Sequence, residues 1–202
     1  REAVIKGLAP DQGLYMPQMI PVLSKEFLEG MKHLSFHEIG YEVIGALFSE
    51  DLAEEEIKDL VDHTLQFDAP LVQLDDQIFA LELFHGPTLA FKDFGARFCS
   101  KLMSMLLDSQ DVKVLVATSG DTGSAVANGF FDVPNVEVII LYPKGKVSEL
   151  QEMQFTIDAS RKKDDILVPQ KHAVFIITGI FIVQLRSSFS KSFKLWIMNI
   201  IN

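Results

Sequence analysis

The chain has 202 residues, 48% of them hydrophobic and 23% charged, a balance that supports a packed domain and excludes wholesale disorder. A net charge of −10 argues against a nucleic-acid-binding protein, because phosphate backbones attract basic faces. The single cysteine, Cys99, excludes an internal disulfide and a secreted disulfide scaffold.

No signal peptide opens the chain and its first residue is Arg1, so a processed or fragmentary start and a cytoplasmic setting are expected. Gly7–Pro17 is rich in glycine and proline and reads as turns and extended pieces. Three helices follow. Lys25–His33 starts behind Ser24 as N-cap, and Phe36–Phe48 carries Ile39, Val43, Ile44 and Leu47 at the spacing of one helix face. Leu52–Leu65 has Asp51 and Glu54 in capping-box order and an acidic first turn that suits the helix dipole. The run Glu54-Glu55-Glu56 reads as a solvated face, and no metal site is expected. These helices form a small N-terminal subdomain over residues 1–68.

From Pro70 the pattern becomes α/β. Leu71–Leu74 and Ile78–Phe84 read as short strands around Asp75-Asp76-Gln77. Phe94–Leu107 reads as a helix with Phe98, Leu102, Met105 and Leu106 on one side, and Cys99 is expected in the core. Val112–Ala117 and Val136–Leu141 are buried parallel strands in this reading, with a helix over Thr122–Phe131 between them. The alternation predicts an α/β fold, with an open, mostly parallel sheet and helices on both faces, over residues 69–155.

Three stretches carry candidate chemistry. In Leu83–Phe94, Lys92 lies between Phe91 and Phe94 where a strand-like run gives way to a helix. Such a lysine is ordinarily a solvated charge on an apolar stem. Gly86-Pro87 makes a tight connection and Thr88 and Asp93 suit a helix start, which opens the alternative of a partly desolvated, nucleophilic lysine. The loop Thr118–Ser124 joins a strand's carboxyl end to a helix start. It is either a capped helix start or an anion site built from N–H groups and hydroxyls. Leu141–Ser148 sits after the next strand, and its Lys144-Gly145-Lys146 is on residues alone a solvated turn.

Phe84-His85-Gly86-Pro87-Thr88-Leu89-Ala90-Phe91-Lys92-Asp93-Phe94-Gly95 resembles the pyridoxal-phosphate lysine segment of the threonine synthase family. The opening Gly7–Asp11 run resembles that family too. The resemblance implies the tryptophan-synthase-β-like fold (fold type II), with Lys92 carrying pyridoxal 5'-phosphate and moving protons at the substrate's α and β carbons. It further implies that Ser119, Gly120, Thr122 and Gly123 cradle the substrate carboxylate, that Asp121 lies near the cofactor's phenolic oxygen, and that Lys146 contacts the substrate phosphate. The implied reaction is the conversion of O-phospho-L-homoserine and water to L-threonine and phosphate. A serine/threonine dehydratase-like enzyme of the same fold is the in-class alternative, disfavoured by the full His85–Phe94 match and by aspartate rather than asparagine at position 121.

The resemblance spans residues 3–155. Residues 1–155 hold 25 acidic and 11 basic side chains, whereas 156–202 hold 3 and 7. Beyond that point neither the family's Gly-Asn-x-Gly-Asn phosphate loop nor its late Ser/Thr occurs, so an incomplete fold and an inactive chain are expected. The 156–202 tail is expected to come from a shifted reading frame or another gene-level change, and a non-catalytic remnant is the alternative from a different class. Its apolar run Ala173–Leu185 has thirteen residues, short of the 18 or so that a membrane span needs, so no stable membrane insertion is expected.

Overall fold

The computed structural model describes residues 1–107, 110–143, 146–160, 172–177 and 194–198. Helix α1 spans Glu2–Lys6. Helix α2 (Lys25–Gly30) starts at Ser24, whose Oγ accepts the Phe27 N–H at 3.0 Å, and a 3-10 turn, Met31–His33, completes the expected segment. Helix α3 (Phe36–Phe48) opens with a full capping box that the sequence reading did not include. Ser35 Oγ accepts the Glu38 N–H at 3.2 Å, and Glu38 accepts the Ser35 N–H at 2.7 Å.

Helix α4 (Glu54–Thr64) begins two residues later than expected. Its cap is Ala53, whose N–H donates to the Glu56 carboxylate at 2.8 Å, while Asp51 and Leu52 donate their N–H groups to the Phe48 carbonyl and finish the preceding helix. Ile57, Leu60, Val61 and Thr64 are buried, one face at i, i+3, i+4 and i+7. Helix α3 meets this face through Tyr41, Ile44 and Phe48, whereas Leu47 of the expected stripe is 46% exposed. Gly40 faces the same cluster: a Cβ there would lie 2.7 Å from Leu65 Cδ1, so the glycine lets Leu65 pack close against α3.

Strands β1 (Leu71–Asp75) and β2 (Ile78–Leu81) form an antiparallel hairpin. The second strand ends at Leu81, three residues short of the expected end, because the chain turns away after the Glu82 N–H donates to the Pro70 carbonyl.

Helix α5 (Lys92–Leu106) separates two cores. Leu102, with Phe94, Phe98, Met105 and Leu106, packs into the cluster of α3 and α4, as the sequence pattern expected. Ala96, Met103 and the half-buried Cys99 face the second cluster, formed with the sheet and helix α6 (Asp121–Gly129). Strands β3 (Val112–Ala117), β4 (Val136–Pro143), β5 (His172–Ile177) and β6 (Lys194–Met198) pair in the order β5-β4-β3-β6, all parallel. Val112, Val114 and Val116 bury one face beside Val136, Val138, Ile140 and Tyr142. Helices α5 and α6 cover that face; Leu115, Ile139 and Leu141 on the other are half-buried. At Gly129 a Cβ would lie 2.9 Å from the Ala96 backbone, which sets how closely α6 approaches α5.

Helix α7 (Glu149–Ser160) runs through residue 155, and the rest of the 156–202 tail lies outside the described residues apart from β5 and β6. No helix of the described residues is long and apolar enough to cross a membrane; the run Ala173–Leu185 falls outside them beyond Ile177.

Candidate functional site

The lysine-bearing turn is shaped by a buried clasp. Asp93, in the first turn of α5, is 1% exposed, and its carboxylate accepts the Thr88 N–H at 2.9 Å and the Thr88 hydroxyl at 2.5 Å. The turn closes with the Leu89 N–H donating to the Gly86 carbonyl at 3.1 Å, and Leu89 takes a left-handed φ of 59°. Such backbone is costly for a branched side chain and persists only where the surroundings enforce it. Gly86 gives the clasp room to close: a Cβ would lie 2.4 Å from Asp93 Oδ2 and 2.8 Å from Phe67 Cζ. The clasp therefore fixes where Lys92 begins the helix. Lys92 is half-buried, with Nζ 5.4 Å from the Phe91 ring centroid and no ion pair to any described residue.

The loop after β3 is closed by a residue that was not singled out from the sequence. The Thr118 hydroxyl accepts the N–H groups of Gly120 and Gly123, each at 3.1 Å, and donates to the Gly120 carbonyl at 3.1 Å. Gly120, Thr122 and Gly123 are buried, while Ser119 and Asp121 are exposed. Ser124, one turn into α6, is 1% exposed, and its hydroxyl has no hydrogen-bond partner among the described residues.

Helix α7 ties the two loops together. Ser148 and Gln151 form a capping box: Gln151 Oε1 accepts the Ser148 N–H and hydroxyl, each at 3.1 Å, and Ser148 Oγ accepts the Gln151 N–H at 3.2 Å. The far end of the same amide, Nε2, donates to Asp121 Oδ1 at 2.7 Å. One turn on, Gln154 Nε2 donates to the Thr88 carbonyl at 3.5 Å, the long end of hydrogen-bond range. Tyr142, at the end of β4, donates its hydroxyl to Glu152 at 2.8 Å; burial, and then this carboxylate, push the phenol up to about 12. Lys146 is exposed, in the turn just before the box. Gln151 and Gln154 were not legible as site residues, although Ser148-x-x-Gln151 is a visible capping signature.

With this geometry in place, the likenesses to known proteins divide along the chain. The family model "Threonine synthase N terminus" matches residues 1–65. A threonine synthase from Haemophilus influenzae is 44% identical over 154 residues, covering 76% of this chain and 36% of that protein. The chain is similar to the N-terminal part of threonine synthases. It spans about a third of the length of these curated relatives. The crystal structure of threonine synthase from Escherichia coli superposes with a TM-score of 0.76 at 37% identity, covering 88% of this chain and 39% of that one. A PLP-bound threonine synthase from Brucella melitensis superposes with a TM-score of 0.71 at 35% identity, covering 76% of this chain and 34% of that one.

Proposed function

We propose that this chain forms the lysine-bearing part of a threonine synthase, a pyridoxal-phosphate-dependent lyase that converts O-phospho-L-homoserine and water to L-threonine and phosphate. The carrying observation is the Lys92 turn, where a buried clasp presents, at the start of α5, an amine with no ion pair among the described residues. The complete architecture in this reading is the open, mostly parallel fold-type-II sheet with helices on both faces, and its setting is cytoplasmic.

The residues present suit pyridoxal phosphate: a primary amine with no ion pair among the described residues, a helix start rich in N–H groups and hydroxyls, and an exposed carboxylate at Asp121. Lys92 would hold the cofactor, with Asp121 beside its phenolic oxygen. When bound, the cofactor supplies an electron sink for charge developing on the substrate. Lys92 Nζ serves as base and acid, taking and returning protons at the α and β carbons. Ser119, Gly120, Thr122 and Gly123 orient the substrate carboxylate, which displaces the Thr118 hydroxyl from the two glycine N–H groups. Lys146, exposed and cationic, meets the substrate phosphate as a point charge.

Borohydride reduction after incubation with pyridoxal phosphate, followed by peptide mass mapping, tests this reading. Labelling should concentrate on Lys92 and disappear in Lys92→Ala. Label spread evenly over the exposed lysines would remove the reading.

A further inference from the structure

The geometry points to Gln151 as the positioning residue for Asp121, a role that rests on the reading of Asp121 as the cofactor-facing carboxylate. The orientation of the Gln151 amide is dictated by its partners. The Ser148 N–H can only donate, so the amide end it meets is Oε1, and the opposite end must present Nε2 to Asp121. That end donates to Oδ1 at 2.7 Å, a charge-assisted bond to the ionised carboxylate. Among the described residues Asp121 Oδ2 has no hydrogen bond, so one oxygen is tethered and the other is left to face a ligand.

Gly120 makes the tether possible. A Cβ at residue 120 would lie 2.6 Å from Gln151 Nε2, so the glycine keeps open the path by which the amide reaches past the loop. The strap is continuous at both ends. Ser148 begins it two residues after Lys146, and Gln154 carries it to the Thr88 carbonyl in the Lys92 turn. The three stretches assigned to phosphate, cofactor and lysine thus hang on one helix. Gln151 contributes no reacting atom; it sets where the Asp121 carboxylate points.

A charge swap tests the pairing without touching the fold of α7. Gln151→Glu keeps the capping box, because a glutamate oxygen accepts the same Ser148 N–H and hydroxyl, but sets two carboxylates against each other. Asp121→Asn with Gln151→Glu restores the bond with donor and acceptor exchanged. Hydrogen exchange of backbone amides 119–124 should quicken about tenfold in the single variant and return to within about twofold in the double variant. Unchanged exchange in the single variant, or no recovery in the double, overturns the proposal.

A second arm reads the positioning role directly. With pyridoxal phosphate bound, the pH profile of the cofactor's absorbance should move in Gln151→Glu, and a profile superposing on the parent's overturns that role. The exchange arm needs no cofactor, so the two ideas fail separately: rescue without Lys92 labelling removes the cofactor reading, and labelling without rescue removes the Gln151 pairing.

Discussion

The carboxylate of Asp93 holds both the backbone N–H and the hydroxyl of Thr88, at 2.9 and 2.5 Å, from a site that is 1% exposed. These two bonds define the turn that delivers Lys92 to the start of α5.

Asp93→Ala should therefore destabilise the chain by about 2–3 kcal/mol, since it strips two Thr88 donors of a charged acceptor. Thr88→Val should cost less, about 1 kcal/mol, because the backbone N–H bond survives. Urea unfolding followed by far-ultraviolet circular dichroism measures both. Equal losses would show that the hydroxyl, rather than the carboxylate, organises the turn.

The Thr118 hydroxyl is the stopper of the glycine loop. Thr118→Val keeps the shape and removes the side-chain acceptor of the Gly120 N–H, whereas the Gly123 N–H keeps its bond to the Gly120 carbonyl at 3.0 Å, so exchange at Gly120 should quicken several-fold and at Gly123 less, with a stability loss of about 1 kcal/mol. Amide exchange by nuclear magnetic resonance reads both positions; unaltered protection at Gly120 would mean that the Thr118 hydroxyl does not hold the loop.

Burial pushes the Cys99 thiol up to about 11. The thiolate is the reactive form, so alkylation by iodoacetamide at pH 8 should be far slower than for a free thiol and should reach the free-thiol rate in 8 M urea. Fast modification of the folded chain would contradict the packing of Cys99 against the α5–α6 core.

His63 lies at the end of α4, where Arg97 donates to its carbonyl from Nε and Nη2. Burial, and then the charges of Arg97 and Lys101, hold its imidazole below the ordinary histidine value, with Asp59 opposing them. The unfolded chain therefore takes up this proton first as pH falls, so stability is complete above about pH 6.5 and declines as pH drops toward the lowered folded value. His63→Asn should flatten the stability slope between about pH 7 and 5. Superposable slopes for the parent and the variant would remove His63 from the balance.

The face of α5 was readable because Phe98, Leu102, Met105 and Leu106 repeat along one element, and β3 stood out as a continuous β-branched run, although only its Val112, Val114 and Val116 side is fully buried. The cap of α4 was not readable: Asp51 and Ala53 compete for the helix start, and the outcome depends on Leu52 being buried and on Glu56 reaching back to Ala53. The face of α3 was read only in part: Ile44 packs as expected, whereas Leu47 is exposed and Tyr41 and Phe48 pack in its place. Gly40 lies against Leu65, a contact between residues 25 positions apart that no local pattern announces.

At the site, the Lys92 segment and the glycine loop stood out because Gly, Pro, Ser and Thr mark special backbone wherever they fall. Lys92 by itself could have been a solvated charge; the twelve residues around it carried the resemblance. What only the tertiary structure decided is which groups meet. Thr118 closes its own loop, Gln151 reaches Asp121 thirty residues away, and Gln154 reaches Thr88 sixty-six residues away. Hydrogen bonds require atoms within about 3.5 Å, and for residues so distant in the chain that proximity is created by the packing of α7 across α6 rather than by any local pattern.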